Sequence, residues 1–116
     1  METLLVVEDD AHQAELFKQE LEEEGYEVML AHDGREALEK FDKVNVDLVV
    51  LDIRMPGMDG IDALSRILAY DNTMPTIIHT AYAHYKDNFM TWTADHYVIK
   101  TSDLSELKTK IRESLD

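Results

Sequence analysis

Short apolar runs alternate with amphipathic stretches along this chain. Thr3 to Val7 forms the first run, and Tyr26 to Ala31, Val46 to Leu51, Pro75 to His79 and His96 to Ile99 follow, each of strand length. Between them the apolar residues recur at helical spacing. Ala14, Phe17 and Leu21 share one face of a helix predicted over Ala11 to Glu24, which Gly25 ends. Asp33 caps a second helix through Phe41, and Ile61 to Tyr70 reads as a third. A fourth, near Lys86 to Thr93, is weakly patterned and expected to be short or irregular. A fifth runs from about Leu104 to Leu115, with Leu104, Leu107, Ile111 and Leu115 in register and a capping box expected from Asp103 and Glu106.

Strands separated by helix-sized connections pair in parallel. The first and third runs are almost uninterrupted apolar sequence, as strands are when helices cover both faces of their sheet. The pattern predicts one α/β domain over residues 1–116, a doubly wound five-stranded parallel sheet with five helices. Ligands of such sheets bind beyond the carboxyl ends of the strands, so the residues at those ends matter most.

Composition narrows the function. With 45% hydrophobic residues the chain can bury a core, and with no cysteine it has no disulfide framework, thiolate metal site or cysteine nucleophile. No window reaches the length of a membrane span and the N-terminus lacks a basic segment before its apolar run, so a cytoplasmic location is expected. A net charge of −14 argues against direct binding of nucleic acid, and surface carboxylates such as Glu20 to Glu24 read first as solvated.

The strand ends carry chemistry. The first run stops at Glu8, Asp9 and Asp10, the third at Asp52, the fourth at Thr80 and the fifth at Lys100. Singly, these residues have ordinary uses as helix caps, turn formers or solvated charges. Together they place several carboxylates, a hydroxyl and an ammonium on one rim. Neighbouring carboxylates repel unless a cation joins them, and an all-oxygen ligand set suits Mg²⁺. An ionised carboxylate there can attack a phosphoryl group to give an acyl phosphate, with Lys100 neutralising the phosphoryl oxygens and Thr80 donating a hydrogen bond to the product.

The segments LLVVEDD, VVLDIRMPGMDG, IIHTAYA and YVIK, in this order and spacing, resemble the receiver domain of bacterial two-component response regulators over essentially the whole chain. The resemblance implies the strand order 2-1-3-4-5 and a phosphorylation-dependent signalling switch that catalyses only its own phosphorylation and dephosphorylation. It implies Asp52 as phosphoacceptor and Glu8, Asp9, Asp52 and the Arg54 carbonyl as Mg²⁺ ligands. Thr80 would be the switch hydroxyl beside small Ala81, Lys100 the phosphate-binding lysine and Tyr97 the switch aromatic. The phosphoryl donor would be a histidine kinase or histidine phosphotransfer protein, and the chain a monomer or weak dimer. Asp10, Gln13, Leu16 and Pro56 make the candidate partner surface, Leu16 because it lies off the apolar helix face. Bulky Arg54 and Tyr82 flank the path of the hydrolytic water, which predicts a long phosphoryl lifetime.

The chain departs from the family in places. Glu8 stands where Asp is commoner, so it is expected to reach the metal through a water. Thr101 follows the lysine where proline in a cis peptide is usual; a cis bond there would cost about 2.5–4 kcal/mol, so a trans bond is expected. Trp92, Thr93 and Ala94 replace a small Gly-Ala element, and of Tyr85, Phe89, Met90 and Trp92 most are expected in the core, with one or two left as a partner surface. Three rival readings share parts of this pattern. A flavin-binding domain would need a hydroxyl- and glycine-rich first loop, and an aspartyl-phosphate phosphatase an acid where Arg54 stands. The third, a receiver-shaped interaction module that is never phosphorylated, is separated from the switch by phosphorylation of Asp52.

Overall fold

The structure, a computed structural model, describes residues 1–53, 60–81 and 93–116. In chain order the elements are β1 (Thr3–Val7), α1 (Ala11–Glu23), β2 (Glu27–Ala31), α2 (Gly34–Lys43), β3 (Leu48–Leu51), α3 (Gly60–Tyr70), β4 (Thr76–Thr80), β5 (His96–Ile99) and α4 (Ser105–Leu115). The five strands form one parallel sheet in the order β2-β1-β3-β4-β5. Four helices are present among the described residues. The weak helix expected near Lys86 to Thr93 falls almost wholly within residues 82–92, outside them, as do Tyr85, Phe89, Met90 and Trp92.

Strand alternation explains the apolar runs. Leu5, Val7, Val49, Leu51 and Ile78 point to one face and pack with Ala37, Ala63, Leu64 and Ile67 of α2 and α3. Leu4, Val6, Leu48, Val50, Ile77 and Val98 point to the other and pack with Phe17, Leu21, Leu107 and Ile111 of α1 and α4. A strand covered on both faces has no polar face to alternate with, hence the uninterrupted apolar sequence.

The helix ends are mostly as the sequence implies. The Asp10 carboxylate accepts the amides of His12 and Gln13, and that of Asp33 accepts the Glu36 amide. Gly25 takes a φ of 99°, beyond the end of α1, where a side chain would be strained. Two expectations change. Helix α2 continues past Phe41 to Lys43; Val44 N–H still reaches the Lys40 carbonyl, and Lys40 and Lys43 suit the negative end of the dipole. The capping box of α4 does not form. Leu104 holds the cap position without a side-chain bond, and Asp103 instead accepts from the Ser105 amide and hydroxyl at 2.9 and 2.6 Å. Asp103 lies one residue too early for the box geometry.

Candidate functional site

The parallel sheet delivers the carboxyl ends of β1, β3, β4 and β5 to one rim, as the register requires. Backbone bonds continue the ladder one residue beyond each strand: Glu8 N–H to the Ala31 carbonyl, Asp52 N–H to Val7, and Lys100 N–H to Thr80. These bonds set the height at which three charged side chains leave the sheet. Oxygens of Glu8, Asp9 and Asp52 all lie within 4.8 Å of one another, with Asp9 exposed and the other two buried.

Lys100 bridges two of these carboxylates. Its Nζ donates to Asp52 Oδ2 at 2.7 Å, to Gln13 Oε1 at 2.9 Å and to Glu8 Oε1. Burial works against its charge, but the bonds to Asp52 and Glu8 outweigh burial and raise the Lys100 pKa above its ordinary value. Burial raises the Glu8 carboxyl, against the pull of Lys100 and of the Asp10 amide, which donates to Glu8 Oε2 at 3.1 Å. Below the lysine, the Phe17 ring centroid lies 5.9 Å from Nζ, and the buried His79 ring packs against Phe17 at 4.9 Å. Burial is the main reason the His79 pKa falls to about 4, and the Lys100 charge adds to it, so this imidazole is neutral at pH 7.

Gly60 completes the geometry. Its N–H donates to the Ile53 carbonyl at 3.1 Å, and a Cβ at this position would meet the Asp52 carbonyl oxygen at 1.9 Å. Only a residue without a side chain lets α3 begin this close to the end of β3.

The structure thus brings together Glu8, Asp9, Asp52 and Lys100, with Ala81 exposed at the edge of the same cavity. Thr80, fully buried, ends β4. By alternation it shares a sheet face with Ile78, whose register partner Tyr97 is partly buried against the same core. Asp10 is engaged as the cap of α1, Gln13 binds Lys100, and Leu16 is 50% exposed. Arg54, Pro56 and Tyr82 lie outside the described residues. Among the described residues no peptide bond is cis, so Lys100–Thr101 is trans, as expected. The contact of Gln13 with Lys100 and the packing of Phe17 and His79 beneath it were not foreseen. The spacing of Gln13 in the first turn after Asp10 could have shown the former; no sequence signal pairs Phe17 with His79.

Three carboxylates with this reach form a hard-oxygen donor set that fits a divalent cation such as Mg²⁺. No helix among the described residues is long and apolar enough to cross a membrane.

Comparison with known proteins points the same way. The family model for the response regulator receiver domain matches residues 4–112. The transcriptional regulatory protein TrcR of Mycobacterium tuberculosis is 40% identical over 94% of this chain and 43% of its own length. The response regulator ArlR of Staphylococcus saprophyticus is 35% identical over 99% of this chain and 53% of its own. The chain therefore spans about half the length of these relatives. Among solved structures, the Thermotoga maritima response regulator TrrA in complex with Mg(2+)-BeF superposes with a TM-score of 0.97 at 44% identity, covering 99% of this chain and 100% of that one. A chain of the complex between histidine kinase ThkA and TrrA matches with a TM-score of 0.95 at 44% identity, covering both chains completely.

Proposed function

The chain belongs to the response regulator receiver domain family, and from that premise we propose that residues 1–116 act as one phosphorylation-dependent switch with Asp52 as its phosphoacceptor. The observation that carries this reading is the Glu8, Asp9 and Asp52 trio with the Lys100 ammonium 2.7 Å from Asp52. The donor is a phosphohistidine of a histidine kinase or phosphotransfer protein, a reading supported by the kinase complex of TrrA. An Asp52 oxygen attacks phosphorus, an O–P bond forms, the N–P bond breaks, and its electron pair leaves on the donor imidazole. In this reading Glu8, Asp9, Asp52 and the Arg54 carbonyl hold Mg²⁺, whose chemistry is to neutralise phosphoryl oxygens.

This chain's own side chains do the rest. Lys100 keeps Asp52 charged and aimed into the cavity, then turns its N–H groups to the phosphoryl oxygens as Asp52 loses its free charge. Ala81 leaves room beside the acceptor. Thr80 moves toward the new phosphate, and Tyr97 follows because both sit on one face of adjacent strands. Leu16, exposed on α1, with Asp10, Gln13 and Pro56, forms the partner surface.

The test is incubation with acetyl phosphate and Mg²⁺ followed by intact-mass measurement. The wild type gains one phosphoryl group and Asp52→Ala gains none. A wild type that gains no mass yet binds its partner tightly would be an interaction module instead. After removal of the donor, the same assay reads the lifetime, which bulky Arg54 and Tyr82 are proposed to lengthen beyond seconds.

A further inference from the structure

Two cavities meet at Lys100. One, of about 270 Å³, opens onto Glu8, Asp9 and Asp52. The other, of about 320 Å³, lies between α1 and the segment after β5 and is lined by Leu16, Phe17, Thr101 and Ser102. They share Gln13 and Lys100, and these two side chains are hydrogen-bonded to each other at 2.9 Å. The Gln13–Lys100 bond is thus the wall between the site and the groove beside α1.

An ammonium has three N–H donors, and Lys100 spends them on Glu8, Asp52 and Gln13. An incoming phosphoryl oxygen, while Asp52 still carries its full charge, can receive one only if an acceptor gives way. Glu8 and Asp52 are buried carboxylates, and charge-assisted bonds are roughly twice as strong as neutral ones. Gln13 is neutral and only partly buried, so its amide can exchange Lys100 for water. Gln13 is the acceptor that yields.

We propose that Gln13 is a positioning residue that restrains phosphoryl acceptance by occupying the third donor of Lys100, and that its release joins the site to the groove beside Leu16 and Phe17. The proposal rests on the reading of Asp52 as phosphoacceptor. It makes the shape of the α1 groove follow the state of the site through one side chain.

The test compares wild type with Gln13→Leu, Gln13→Asn and Gln13→Glu, by rate of mass gain from acetyl phosphate with Mg²⁺ and by calorimetric affinity for beryllofluoride with Mg²⁺. Leucine offers no acceptor, and asparagine is polar but one methylene too short. Both are expected to speed phosphorylation and tighten beryllofluoride binding by about 2- to 10-fold, the value of one hydrogen bond. Glutamate reaches as far with a full charge and is expected to slow and weaken them. A merely structural role would separate leucine from asparagine and shift the urea midpoint in step with the rates. Leucine and asparagine variants no faster than a phosphorylated wild type overturn the proposal alone. A wild type that takes up neither phosphoryl nor beryllofluoride removes the phosphoacceptor reading and this proposal with it.

Discussion

Lys100 and His79 both lie against the Phe17 ring, and burial lowers the pKa of both, but their neighbours decide opposite outcomes. Lys100 has anionic partners and keeps its charge; His79 has an aromatic neighbour and a nearby ammonium, and loses it. The His79 pKa is about 4 in the fold and about 6.5 in the unfolded chain. Above pH 6.5 both states hold a neutral ring. As pH falls from 6.5 towards 4, the unfolded chain takes up a proton that the folded one refuses, so stability is lost in that window. The loss by pH 4 is roughly 3 kcal/mol. Urea unfolding at several pH values, compared with His79→Leu, checks this: the variant should lack that share of the acid loss, and parallel curves would refute it. At this scale the gathering of Glu8, Asp9, Asp52 and Lys100 on one rim was legible, because they stand at the ends of apolar runs. The packing of His79 against Phe17 was not, because it joins residues on different elements.

The junction between β3 and α3 shows how an element's start can serve chemistry. Gly60 begins α3 against the backbone of Asp52 and Ile53, where an added methyl has no flexible side chain to displace. Gly60→Ala is expected to cost about 3 kcal/mol or more, through overpacking against main chain. It should also slow phosphoryl gain from acetyl phosphate, because the backbone that moves carries Asp52, the proposed acceptor. A urea midpoint within error of wild type would count against this packing. Most element positions were readable from periodicity, and β5 matches at both ends. Helix α4 was missed in detail: Asp103 and Glu106 have the spacing of a capping box, but the cap falls on Leu104, since the local backbone decides which residue enters the helix first.

The net charge of −14 is spread over a molecule whose extents are 32 × 31 × 28 Å. At about 0.01 M salt the screening length is about 30 Å, so every carboxylate feels the others across the fold; at about 1 M it is about 3 Å. Exposed pairs such as Arg66–Asp62 and Lys110–Glu113 lose attraction over the same range, but such pairs contribute only about 0–1 kcal/mol each. Repulsion dominates, so sodium chloride added in the presence of a chelator should stabilise the fold by roughly 1–2 kcal/mol. Thermal melts across that range check the sign, and a falling midpoint would mean that local ion pairs outweigh the net charge.

Sequence by itself determined the alternation of strands and helices, the burial of both sheet faces and the rim on which the acidic residues and Lys100 emerge. All of these follow from periodicity, which is a local property of the chain. Only the tertiary structure decided that Lys100 divides its three donors among Glu8, Asp52 and Gln13, that His79 lies neutral beneath Phe17, and that Gly60 touches the backbone of Asp52. Each of these depends on distances between residues far apart in the chain, set by sheet register and helix packing, and no local pattern carries such distances.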